Sequence, residues 1–167
     1  TEEGLTDRSL LNMKDICDFI NTVDVEDIKP ILKRQIDYNW AIAEEGIKGN
    51  YGANIGKVLL DMEGNNVRVR AKAMEAAGSD ARMNGCELPV VINSGSGNQG
   101  ITASVPVIVY AKELKAGEEM MYRALALSNL SSIHPKTPNG RLSSYCGSSS
   151  AGTGPGAGPA ILCGSGL

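Results

Sequence analysis

The 167-residue chain predicts a mostly α fold, a single helical domain with one Gly-rich loop between helices. Two observations carry that prediction. Apolar residues recur at three- and four-residue steps from Leu5 through Met83, the period of a helix face. No long stretch alternates apolar with polar residues as a half-buried strand does. A third observation sets the style of packing. With one Phe, one Trp and five Tyr in the chain, the core must be built from Ala, Ile, Leu, Val and Met. The length suits one domain.

The first helix carries Leu5, Leu10, Leu11, Ile16, Phe19 and Ile20, with Thr6 or Asp7 as candidate cap and Asn21-Thr22 as its end. Asp24 starts a second, whose stripe is Ile28, Ile31, Leu32, Ile36, Trp40, Ile42 and Ala43. Pro30 is expected to reset that helix, and Gly46 to Gly49 to close it. A third helix runs from about Ala53 to Met62 and breaks at Gly64-Asn65-Asn66. The fourth, Val67 to Met83, carries Ala71, Ala73, Ala76, Ala77 and Ala81. Small side chains let helix backbones approach closely, so this helix is expected at the centre. Asn84-Gly85 ends it. Leu88 to Ile92 is a short apolar run leading into the glycine loop. Ile101 to Leu114 is apolar again, interrupted by Pro106, and Glu118 to Leu130 is a further helix. The segment 131–167 is rich in Gly, Ser and Pro.

Composition excludes several function classes. The net charge of −3 leaves no basic excess for nucleic acid. The single His134 excludes a three-histidine zinc site. No run of ~18 uncharged apolar residues suggests a membrane span, and Thr1-Glu2-Glu3-Gly4 lacks a signal-peptide layout. Cys17, Cys86, Cys146 and Cys163 form no Cys-x-x-Cys pair. Reduced thiols in a cytoplasmic protein are the expectation.

Asn93-Ser94-Gly95-Ser96-Gly97-Asn98-Gln99-Gly100 contains Gly-x-Gly-x-x-Gly, and Glu118 stands roughly 20 residues on, as a dinucleotide fingerprint would ask. Three features oppose that reading. The chain before Leu88 reads as helix throughout, Pro106 falls early in the following helix, and no second buried strand follows. A plain glycine turn is one alternative. The other is an anion cradle. There Gly95, Gly97 and Gly100 admit a close ligand, Asn93, Ser94, Ser96 and Asn98 supply polar groups, and the amides of the next helix favour a carboxylate. That chemistry suits a small L-amino acid.

The stretch from Ala76 to Lys112 closely resembles the L-cysteine desulfidase family, itself related to the alpha chain of iron–sulfur-dependent L-serine dehydratases. The resemblance rests on SDARMNG (Ser79 to Gly85), NSGSGNQG (Asn93 to Gly100) and GRLSSYCG (Gly140 to Gly147), and it spans roughly Ile28 to Gly158. It implies a helical lyase that uses a 4Fe-4S cluster, without pyridoxal phosphate, to eliminate sulfide or water from an L-amino acid. The aminoacrylate left behind breaks down to pyruvate and ammonia. Asn93, Ser94, Gly95, Ser96, Gly97 and Asn98 of the cradle are the candidate substrate-binding residues, and the resemblance places Cys146 at the first cluster ligand. Arg141 is a candidate carboxylate partner, its fork matching that group.

The family's other two ligands form a close cysteine pair some 40 residues further on, which this chain lacks. Its N-terminal Cys-Thr-Glu-Pro segment, to which an acid or base role is attributed, is also missing, so no catalytic base is assigned. The chain is therefore expected to be the middle piece of a longer enzyme, without cluster or activity of its own. Ser131 to Gly140, with Pro135 and Pro138, replaces a run that is apolar in the family.

Several single residues have plainer readings. His134 reads as a surface loop residue, Asp80 and Arg82 as a helix-end pair with loop orientation second, and Cys17 and Cys86 as packing. The leading function is an amino-acid lyase. A non-catalytic helical binding or scaffold domain is second, and a nucleotide-binding oxidoreductase third. Serine against cysteine and the oligomeric state stay open, with self-association expected if missing parts leave an apolar face bare.

Overall fold

The computed structural model describes residues 12–133. They form six helices: α1 Met13–Thr22, α2 Val25–Lys48, α3 Ile55–Glu63, α4 Val67–Met83, α5 Gly97–Glu113 and α6 Glu118–Ile133. No named strand occurs among the described residues, and no helix there is long and apolar enough to cross a membrane. The mostly α expectation holds.

Caps explain most helix starts. Asn12 is extended, at φ −139° and ψ 160°, and its side chain accepts from the Asp15 amide, so α1 begins at Met13. Leu5, Leu10 and Leu11 of the expected first helix, with its proposed caps Thr6 and Asp7, lie outside the described residues. Asp24 caps α2 through the Glu26 amide, as its position predicts. Asn66 caps α4 in the same way through Val69.

Two proline expectations fail. Pro30 lies inside an unbroken α2 and Pro106 inside an unbroken α5. Pro30 is exposed and near the N-terminal end of its helix, where the proline penalty is least constrained by packing. Pro106 sits in a helix with thirteen buried residues. Packing on several sides there outweighs a penalty of about 3 kcal/mol.

α4 is central, between α2, α3 and α5. Ala71, Ala73, Ala77 and Ala81 are buried along it. Glycines bring the neighbouring backbones in. A Cβ on Gly46 of α2 would lie 2.1 Å from the Ala77 carbonyl oxygen, and one on Gly56 of α3 2.4 Å from that of Ala73. Gly46 is therefore a contact residue and not the end of α2, which Gly49 caps.

α5 joins the two halves of the core. Val107 and Ile108 pack with Ile16, Ile20, Leu32, Leu125 and Leu127. Ile101, Val105 and Val109 pack with Ile42, Ala43, Ala71 and Ala81. This places the N-terminus of α5, and the turn before it, between α2, α4 and α6.

Candidate functional site

The eight-residue glycine loop expected from the sequence is shorter in the structure. Asn93 to Ser96 is a tight turn closed by two backbone hydrogen bonds, Asn93 N–H to Ser96 O at 3.0 Å and Ser96 N–H to Asn93 O at 3.1 Å. Its central residues both have positive φ, 48° at Ser94 and 83° at Gly95, as a type I′ turn requires. Ser96 then caps α5, its hydroxyl accepting from the Gln99 amide at 3.3 Å. Gly97, Asn98 and Gly100 are thus helical.

Two of the loop glycines are explained by close approach within the protein. A Cβ on Gly100 would stand 2.1 Å from the Val91 carbonyl oxygen. One on Gly97 would stand 2.3 Å from Nε of Arg82. The Arg82 side chain reaches across Gly97 and donates to Oδ1 of Asn98 at 3.1 Å. The expected Asp80–Arg82 pair does not form. Asp80 instead accepts from the Ile55 amide at the start of α3, at 3.0 Å. Arg82 instead reaches the first turn of α5 through Asn98.

Below the turn lies a chain of side-chain amides. Gln35 of α2 and Asn129 of α6 exchange hydrogen bonds at 2.9 and 2.8 Å. Asn93 donates to Oδ1 and to the main-chain oxygen of Asn129, at 2.9 and 3.2 Å. Gln99 donates to Oδ1 of Asn93 at 2.9 Å and to the Ser132 carbonyl at 3.4 Å. Gln35, Asn93 and Gln99 are buried, at 3%, 4% and 0% exposure. A second buried amide, Asn39, holds the approach strand-like segment: it accepts from the Val91 amide and donates to the Val91 carbonyl and to Ser104.

Of the residues singled out in the sequence, the turn brings Asn93, Ser94, Gly95, Ser96, Gly97 and Asn98 together at the N-terminus of α5. Asn93 points inward as the link between turn and α6. Ser94, Ser96 and Asn98 are half-buried and Gly95 is exposed. Arg141 and Cys146 lie outside the described residues, as do His134 and Cys163. The sequence reading passed over Gln35, Gln99 and Asn129. A signal existed for the first: Gln35 and Asn39 interrupt the apolar stripe between Leu32 and Ile42 at helical spacing, which marks amides on a core-facing side.

Glu75 on α4 is mostly buried beside α5, where Thr102 donates to it at 2.8 Å. Burial raises its pKa above the ordinary 4.5, and the Thr102 hydrogen bond partly opposes this. A carboxyl raised in the fold gives stability that is full below its unfolded value and is lost as pH rises through the folded one. Glu75→Gln is therefore expected to stabilise the protein at pH 7, with the gain vanishing below about pH 4.5. Denaturant titrations at the two pH values check this; a gain that persists in acid would contradict it. Elsewhere, Tyr51 donates to Glu45 at 2.9 Å and its pKa is pushed up to about 12, by that hydrogen bond first and by Cys86 next.

Two clefts lined by described residues lie away from the turn. One, of about 490 Å³, is lined by Trp40, Arg70 and Lys112 among others. The other, of about 310 Å³, lies between the start of α2 and the start of α6.

An iron–sulfur cluster needs several thiolates together. The described cysteines are Cys17 on α1 and Cys86 beyond the end of α4, both free. Cys86 packs on the α2–α4–α5 core, and α1 packs on α6. No group of three or more His, Cys, Asp or Glu suited to a metal occurs among the described residues. These residues alone do not fit a cluster. The dinucleotide reading also lacks its strand, since 88–92 leads into the turn without pairing in a sheet.

Comparison with known proteins finds a match to the serine dehydratase alpha chain family over residues 6–167. A UPF0597 protein of Desulfitobacterium hafniense (strain Y51) is 62% identical over 163 residues, covering 98% of this chain and 38% of the relative. One from Lachnoclostridium phytofermentans is 56% identical over 163 residues, covering 98% and 39%. One from Fusobacterium nucleatum is 53% identical over 156 residues, covering 90% and 36%. The chain thus spans less than two fifths of the length of these curated relatives. No solved structure matches. The helical frame, the NSGSGNQG turn at the head of α5 and the match over nearly the whole chain agree, and the chain belongs to the serine dehydratase alpha chain family.

Proposed function

We propose that this chain is the amino-acid-binding part of a lyase of the L-serine dehydratase or L-cysteine desulfidase type. The reaction is elimination of water or sulfide from the substrate, giving pyruvate and ammonia. The observation that carries the reading is an arginine set beside a helix N-terminus, with no protein carboxylate paired to it among the described residues. The N-terminus of a helix bears partial positive charge. At α5 the Arg82 guanidinium is held beside that end by Asn98. No carboxylate pairs with Arg82 among the described residues. A guanidinium beside a helix N-terminus favours an anion between the two, and a substrate carboxylate is such an anion.

Each residue then has a role. The α5 amides and Arg82 hold the carboxylate. Ser96 fixes the start of the helix and Asn98 aims the guanidinium. Gly97 leaves the space through which Arg82 crosses. Anchoring the carboxylate orients the Cα–H bond and the β-substituent for elimination. The resemblance attributes a 4Fe-4S cluster to the whole enzyme, with Cys146 the candidate thiolate of this chain; the roles assigned above do not depend on it.

Release of pyruvate from L-serine or L-cysteine by the full-length protein tests the reading. Gly97→Val fills the space Arg82 needs, and with Ser96→Ala it is expected to lower kcat/KM by roughly 10- to 100-fold, the scale of a lost charge-assisted contact. Full turnover in both variants, or no turnover by the full-length protein with any small L-amino acid, would contradict it. The second outcome would favour a scaffold domain.

A further inference from the structure

We propose that the side-chain oxygen of Gln99 accepts the α-ammonium of the amino acid whose carboxylate is held at the N-terminus of α5. The inference rests on the amino-acid-binding reading above and assigns the opposite pole of the substrate. Its basis is the polarity of the buried amide chain. The NH₂ of Asn129 donates to Gln35 and to the Leu125 carbonyl. That of Asn93 donates twice to Asn129, once to the main chain. That of Gln99 donates to Asn93 and to the Ser132 carbonyl. Three main-chain oxygens of α6 thus fix all three amide orientations, because flipping any amide would set oxygen against oxygen.

The chain therefore ends in one defined way, with Oε1 of Gln99 fully buried and without a partner. A buried acceptor left unmade is costly, so its retention asks for a donor. Gln99 belongs to the first turn of α5, one residue beyond Asn98, and its NH₂ is tied to the turn through Asn93. The same end of the helix thus offers positive groups for a carboxylate and a carbonyl oxygen for a cation. An α-ammonium is a donor with no acceptor, and a carboxylate is an acceptor with no donor. The two poles of a zwitterionic α-amino acid match these groups, and an acid lacking the amine leaves Gln99 unpaired. Gln99 is in this account a specificity residue, and Asn93 positions it. Ser131 on α6, next to Ser132, holds a second buried and unpartnered oxygen.

The test is calorimetric binding of L-serine and of 3-hydroxypropanoate, which is L-serine without its amine, to the full-length protein. The wild type is expected to prefer L-serine at least tenfold. Gln99→Met is expected to bring the two affinities together with that for 3-hydroxypropanoate retained. Gln99→Asn keeps the amide but draws its oxygen back by one methylene and is expected to narrow the preference, and it decides the matter if Gln99→Met does not fold. A wild type that binds both ligands equally, or a preference unchanged in either folded variant, overturns the proposal while leaving the carboxylate site standing. A wild type that binds neither ligand, nor L-cysteine, overturns the amino-acid reading and this inference with it.

Discussion

Replacing Asn129 by leucine is expected to destabilise the protein by about 3–5 kcal/mol, among the largest effects of any single side-chain change here. Leucine keeps the branched outline of asparagine but is larger, so the loss is mainly polar, with overpacking added. Gln35 loses both of its Asn129 partners. Asn93 loses the Oδ1 acceptor and keeps the main-chain oxygen. Gln35 and Asn93 are too buried for water to take over, at 3% and 4% exposure. Each unmade group costs about 1–3 kcal/mol. The melting temperature by circular dichroism should fall by roughly 10 °C or more. A loss below about 1 kcal/mol would mean that solvent reaches the amides and that the chain is not a unit.

Gly46→Ala is expected to cost about 3 kcal/mol or more, despite alanine's better helix propensity of about 1 kcal/mol. The new methyl would lie 2.1 Å from the Ala77 carbonyl oxygen and 2.5 Å from its carbon. Both are backbone atoms, so α2 and α4 must part along the alanine seam. Gly100→Ala meets the Val91 carbonyl at the same distance. Gly117→Ala is the control, since nothing lies within 4 Å of its added Cβ. Urea midpoints at constant m separate these variants; equal midpoints for Gly46→Ala and Gly117→Ala would contradict the close-packing account.

The helices with strong period and clear caps were legible in the sequence. Val67–Met83 and the Asp24 cap fall where spacing and side-chain chemistry put them. The start of α5 was not. Three glycines and two serines read locally as loop, while Gly97 and Gly100 lie in the helix that Ser96 caps and are glycine because Arg82 and Val91 occupy the space a side chain would need. Pro106 misled for a related reason: tertiary burial outweighs local propensity. At the site, the polar turn was visible as a motif, but its support was not. Gln35 and Asn129 are 94 residues apart, and neither shows from its own neighbours that it pairs with the other. Arg82 read as one half of a helix-end pair because Asp80 is two residues away. The capping of α3 by Asp80 becomes visible only once α3 and α4 are packed.

A crystal structure of the full-length protein with bound L-serine tests the central claim most directly. The account predicts the substrate carboxylate at the first turn of α5, within hydrogen-bond distance of the α5 amides and the Arg82 guanidinium, with Asn93 to Ser96 still in the type I′ turn. L-serine seated elsewhere, with Arg82 still bound to Asn98 and not to the substrate, would contradict it.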